Sequence, residues 1–293
     1  LSSTIRLGGQ AVVDGVMIRT PRAWAVAVRR PDGQIAVTER SVPGWATRGA
    51  GVPLVRGFLA LLVTVTLGMR AMEWSRQTAG SSTRRSVDGA AKATALLAVA
   101  VVLGLVLVLP ALLARWVVSG AVAVAAVEAV VRLAVLFAYV AGVSRLPGIE
   151  DVLRYHGAEH QAIAAYEAGA DLEVAVVGTF SPRHPRCGTD FLVLVGALSI
   201  VVYGFLGQLP LALLVASRLL LLPLLAGVAF EILRLGGRPG ARGGPVVALG
   251  LALQRLTTRP STPAHVEVAV AALRHAVGPT VAPPATPPAS HRA

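Results

Sequence analysis

Three residues of one short run could do chemistry together: His156, Glu159 and His160, in the order His-Gly-Ala-Glu-His. On a helix, spacings of three and four place side chains on one face. Two histidines one turn apart can chelate a single divalent ion, and a glutamate beside them can take a proton from water that the ion has made acidic. The order is that of the inverzincin metallohydrolases. A coincidental pair of surface histidines is the plain alternative.

A second run, Ser181-Pro-Arg-His-Pro-Arg-Cys-Gly-Thr-Asp190, holds the only cysteine, Cys187, with His184 three residues before it. Asp190 or Thr189 can cap a helix that starts at Phe191. Cys187 then lies ahead of a helix N-terminus and beside Arg186, two influences that favour thiolate. Three roles stay open for it: metal ligand, inert buried cysteine, or nucleophile. His184 is spaced for shared ligation. Arg183 and Arg186 could hold an anionic substrate or lipid headgroup, or simply anchor the cytoplasmic side. Glu231, in an otherwise apolar stretch, is a third metal ligand or the partner of Arg234 or another arginine. Glu167 shares the histidine face but lies about 10 Å beyond His160, so it would act behind the ligands. His265, His275 and His291 read as surface residues.

These residues must be positioned by a membrane protein. The 293 residues are 55% hydrophobic and only 14% charged, against about 25% charged in a soluble domain. Mean hydropathy is +0.68 and yet the net charge is +12, with every basic residue except Lys92 an arginine. Disorder and a disulfide scaffold are excluded by that hydrophobicity and by the single cysteine. Nucleic-acid binding is not expected; the partner of the apolar residues is the lipid bilayer.

The fold class expected is mainly α and integral to the membrane. Ala93–Ala114 and Val117–Val143 are each long enough to span. Residues 191–233 divide at Gly207–Pro210 into two more spans, about 191–207 and 210–233. Glu128 and Arg132 are four apart on one helix, and Arg218, near mid-membrane, needs Glu128 as its partner. Arginines crowd the long connections, which places these in the cytoplasm of a multi-pass plasma-membrane protein with both termini inside. The apolar run Gly57–Met69 is 13 residues long, too short to span, and reads as a re-entrant or interfacial helix. No secretory signal is expected, because the first long apolar run lies far downstream.

The chain thus divides into a cytoplasmic β-rich segment (1–56), the interfacial helix and basic loop (57–92), a transmembrane hairpin (93–143), a cytoplasmic metal-motif region (144–190), a second hairpin (191–233), a cytoplasmic C-terminal region (234–277) and a disordered proline-rich tail (278–293). In the first segment, Trp24–Arg30 and Ile35–Thr38 flank the turn Pro31-Asp32-Gly33 and form a β-hairpin. Ahead of it, the glycines of Gly8-Gly9-Gln10 and Asp14-Gly15 serve tight turns or a close backbone approach. Ile149–Ala168 reads as a helix closed by Gly169. Thr262-Pro263 opens an amphipathic helix that runs to about His275.

The runs GGQAVVDGVMIR from Gly8, YHGAEHQAIAAYEAG from Tyr155, RHPRCGTDF from Arg183, FEILRL from Phe230 and LQRLTTR from Leu253 resemble the YqhQ-like bacterial membrane proteins. The resemblance covers nearly the whole chain apart from the tail. It implies a multi-pass membrane protein of the kind described as predicted metal-dependent enzymes. Members usually carry glutamate where this chain has Asp14, so the carboxylate is kept with a reach one methylene shorter. Together these readings lead to a metal-dependent enzyme of the cytoplasmic face, a hydrolase of peptide bonds or lipid-linked esters. His156 and His160 would bind zinc or a similar divalent ion, Glu159 would be the general base, and Cys187, His184 or Glu231 would complete the ligands. The other reading is a non-enzymatic scaffold or transporter-like protein with a structural metal site, closed by four protein ligands.

Overall fold

The computed structural model describes residues 7–46, 51–80, 101, 104–184, 187–206, 209–236 and 245–278. Four strands, β1 (Gly8–Val12), β2 (Gly15–Arg19), β3 (Ala23–Arg29) and β4 (Ile35–Ser41), form an antiparallel sheet in the order β1-β2-β3-β4. The expected hairpin is β3–β4, with Ala27 opposite Val37. The glycine-punctuated segment ahead of it is a second hairpin rather than a loop. Its turn needs a left-handed residue, which Asp14 supplies at φ 50°.

Strand β3 hardly alternates because the sheet is covered on both faces. Val16, Ile18, Ala25 and Ala27 face helix α4 (Ile149–Glu167) and helix α9 (Pro263–Val277). Met17, Trp24, Val26 and Val28 face helix α1 (Val55–Thr78) through Val63, Leu67 and Ala71. Helix α1 has 24 residues, which corrects the expectation of a short element over 57–69. Arg70 and Arg76 do not end it, since arginine and its neighbours alanine, methionine and glutamine are good helix formers.

The remaining helices are α2 (Leu109–Val117), reached through a π-helical turn at Gly104–Val108, α3 (Ala121–Val143), the single turn α5 (Val174–Val177), α6 (Gly188–Leu206), α7 (Leu211–Gly236) and α8 (Pro245–Thr257). Three helices are long and apolar enough to cross a membrane: Val55–Thr78, Val122–Val143 and Ala212–Leu233. The apolar stretch of α6 at Val193–Leu206 is shorter. Ten of the 22 residues of the span expected at Ala93–Ala114 lie outside the described residues, as does the tail with His291. Thr262 caps α9 as expected, but in a capping box with His265. His265 is buried rather than on the surface, because it also bonds Asp151 at 3.0 Å and packs edge-on against Tyr155. His275 is exposed, as expected.

Charges inside the apolar helices meet one another. Glu128 on α3 takes Arg132 of its own helix and Arg218 of α7, the latter at 2.7 Å. Arg132 also donates to Ser199 on α6 at 2.7 Å. The Arg218 guanidinium lies 3.7 Å from the centre of the Tyr203 ring. One carboxylate therefore ties three helices together. Removing one partner of a buried pair typically costs about 3–5 kcal/mol, since it leaves a buried charge uncompensated. Glu128→Ala is expected to lower the thermal stability of the detergent-solubilised protein by an amount in that range, and Glu128→Ala with Arg218→Met to recover part of it. Equal melting of wild type and Glu128→Ala would contradict this role.

Candidate metal centre

Helix α4 is delimited by two glycines in left-handed conformations, Gly148 at φ 81° and Gly169 at φ 69°. Glu150 and Asp151 occupy its first turn, where acidic residues suit the helix dipole. Its inward face carries His156, Glu159 and His160. Glu159 and His160 are buried and His156 is half-buried.

Both imidazoles are fixed by the backbone. His156 Nδ1 lies 2.7 Å from the Thr257 carbonyl oxygen, and His160 Nδ1 lies 2.8 Å from that of Pro182. A carbonyl only accepts, so each Nδ1 carries the proton and donates it. Each Nε2 is left with its lone pair toward the interior. This is the arrangement found behind metal-ligating histidines. Cys187 completes the group: its Sγ lies 3.5 Å from His156 Nε2, and ligand atoms of His156, His160 and Cys187 lie within 4.8 Å of one another. The protein thus holds a buried His/His/Cys cluster able to coordinate a metal.

Glu159 sits between the histidines, with Oε2 3.9 Å from His156 Nε2 and 3.8 Å from His160 Nε2. Burial pushes its pKa up to about 7, against a smaller opposing pull from His156 and His184. Its outer wall is the backbone of β1. A Cβ on Gly9 would lie 2.4 Å from Glu159 Oε1, so the close approach considered for these glycines is made to this carboxylate.

His184 stays outside the three-residue cluster. Its ring is 6.0 Å from that of His160, and its Nε2 is 3.3 Å from Glu167 Oε2. Glu167 therefore meets the site through His184. Glu231 is not in the cluster either: its carboxylate is bonded by Arg56 of α1, with Nε to Oε1 at 2.6 Å. Of its two expected roles, the structure has the ion pair, with an arginine from a distant part of the chain. Arg183 is exposed, and Arg186 lies outside the described residues. Asp14 is half-buried, and burial together with nearby Asp151 raises its pKa; it is not part of the cluster.

Two glutamines escaped the sequence reading. Gln254 of α8 is fully buried and clamps the His184 backbone, accepting from its N–H and donating to its carbonyl, both at 2.9 Å. Gln161 donates to the carbonyls of Gly178 and Phe180 and accepts from the Ser261 hydroxyl. Both lie inside runs already quoted, EHQ and LQR. An amide among apolar neighbours was the available signal, because a buried amide must find partners.

Residues 52–279 match the family described as "Protein of unknown function (DUF1385)". The chain belongs to this family. It is also 31% identical over 288 residues to "Uncharacterized protein YqhQ" of Bacillus subtilis (strain 168), a match covering 90% of this chain and 89% of that protein. No solved structure matches. The DUF1385 match includes every member of the His/His/Cys cluster but begins after β1, which walls Glu159.

Two outcomes follow from the packing around Glu159. Gly9→Ala forces a methyl into the carboxylate and is expected to cost about 1–3 kcal/mol, the usual price of overpacking, read as a lower melting temperature. The second concerns pH. The folded pKa is raised above the ordinary 4.5 to about 7. Stability from this group is complete below about pH 4.5, falls as pH rises toward 7, and levels off above. Metal-free wild type should lose stability across that window relative to Glu159→Gln, in denaturant titrations at a series of pH values. Parallel profiles would remove the effect.

Proposed function

We propose that the protein is a membrane metal-dependent hydrolase working at the cytoplasmic face, with His156, His160 and Cys187 as ligands and Glu159 as general base. The observation that carries this reading is the tautomer. Two Nδ1–H donors are committed to backbone carbonyls, so two Nε2 lone pairs and one sulfur converge beside a carboxylate whose pKa is near neutral. Two imidazoles and a thiolate suit zinc. Among the described residues the cluster has three protein donors, and a site of three donors keeps a coordination position open, as catalytic sites do.

A divalent ion there would supply Lewis acidity toward water and toward the scissile carbonyl or ester. The rest is the work of this chain's residues. Glu159, with its pKa near 7, can take a proton from the attacking water and pass it to the leaving group. Gly9 and the sheet behind it keep bulk water off that carboxylate. His184, braced by Glu167 and clamped by Gln254, keeps the Cys187 segment in place. Arg183 and Arg186 would draw an anionic substrate from the membrane side.

The topology we propose has four spans, at about 93–114, 117–143, 191–207 and 210–233, with both termini cytoplasmic, as the arginine distribution requires. Helix α1 then lies along the membrane surface. This is supported by its packing: Val63, Leu67 and Ala71 are buried against the sheet, while Val55, Phe58, Leu62, Val65 and Met69 form an exposed apolar stripe.

Metal analysis of the purified protein tests the site. His156→Ala, His160→Ala and Cys187→Ser should lose the ion, while Glu159→Gln should retain it and lose hydrolysis of a peptide or ester panel by about 10²–10⁴-fold. Equal metal content in all the variants would sink the reading. A membrane-impermeant thiol reagent should reach Cys187 only from the cytoplasmic side, and less readily with metal bound. Labelling from the outside alone would overturn the topology.

A further inference from the structure

A cavity of about 340 Å³ opens where α3 leaves the apolar region and the chain turns into α4, lined by Ser144, Arg145, Leu146, Gly148, Glu150 and Arg259. We propose that this cavity binds a phosphate group, either that of a membrane phospholipid or free phosphate. The volume falls within the range of about 300–1,000 Å³ typical of small-molecule sites.

The charge on its walls is the first argument. Arg145 donates to the Ala141 carbonyl, and Arg259 donates to the carbonyls of Arg255 and Thr258. Neither guanidinium has a carboxylate partner among the described residues. The acid on the lining, Glu150, is taken by Arg154 at 2.7 Å. Two guanidiniums thus border one cavity, each bonded to backbone carbonyls, with the Glu150 carboxylate on the lining bound to Arg154. Paired arginines with unused N–H donors match the geometry of phosphate oxygens.

Location is the second argument. Ser144 follows the last residue of α3, a 23-residue helix with only Glu128 and Arg132 charged. The cavity therefore sits at the level where hydrocarbon gives way to headgroups, and Leu146 is exposed beside it at 54%. Basic pockets at that level are where anionic headgroups are held. The site is also anchored. The Arg259 backbone N–H donates to the Leu153 carbonyl at 3.0 Å, and a Cβ on Gly157 would lie 2.4 Å from the Arg259 carbonyl oxygen. Arg259 is therefore fixed against α4, two residues after Thr257, which holds His156.

The test uses the full chain in a neutral detergent, titrated calorimetrically with dihexanoyl phosphatidylglycerol and, separately, with inorganic phosphate. Saturable binding of at least one probe is expected. Arg145→Gln with Arg259→Gln should weaken it by about tenfold or more, since bonds between charged groups of this kind each carry roughly a factor of ten. Glu150→Gln should tighten it by about two- to fivefold, by removing the one carboxylate on the lining. A lipid preferred over phosphate assigns the site to headgroups, and equal affinity assigns it to free phosphate. No saturable binding of either probe overturns the proposal. Should the double arginine variant fail to fold, Glu150→Gln decides: binding no tighter than wild type overturns the proposal as well. None of these readouts depends on metal or turnover, so the hydrolase reading stands or falls separately.

Discussion

Two imidazoles one helical turn apart offer their Nε2 lone pairs to one ion only if each neutral ring carries its proton on Nδ1. In this protein that condition is met by main-chain carbonyls, from Pro182 on one side and Thr257 on the other. Much of the architecture is explained by the need to deliver those two oxygens. Gln254 grips the backbone of His184, two residues past Pro182, and Gln161 fastens the 178–180 turn that leads there. The Arg259 backbone N–H pins the other strap to α4. Side-chain amides do here what strand pairing does elsewhere, joining segments too short to form a sheet.

The site also joins two parts of the fold. Helix α4 belongs to the core it shares with the sheet and α9, whereas Cys187 begins a helix whose apolar length packs beside α3 and α7. An ion bound by His156, His160 and Cys187 would bridge the sheet-packed helix and the apolar helices. The membrane part has its own fastening in Glu128, where one carboxylate holds two arginines and so fixes the rotation of three helices. The Arg56–Glu231 pair does the same between α1 and α7.

The sequence made some of this legible and hid the rest for identifiable reasons. The helix at 149–167 could be read because its ends are glycines and its chemistry is local: three residues on one face need no tertiary knowledge. The Glu128–Arg218 pairing could be read because a charge in lipid has few possible partners. Strands β1 and β2 were missed since glycine is a poor strand former, and here it serves the close approach to Glu159. The length of α1 was misjudged because apolar runs measure lipid contact, while helices continue through arginine. For Glu231 the sequence offered both a ligand role and an ion pair with some arginine, and could not single out Arg56, which lies 175 residues away. His265 looked like a surface residue because its partner, Asp151, lies 114 residues away in sequence.

The placement of Thr257 has a consequence for the order in which the protein is made. The wall of the site, Gly9, leaves the ribosome first, the ligands follow much later, and the carbonyl that selects the His156 tautomer comes last. Until residue 257 has emerged and the intervening apolar helices are inserted, His156 lacks that restraint and its ring is free to present either nitrogen. A nascent chain stalled within residues 191–233 would carry both histidines without the carbonyl that fixes the first of them.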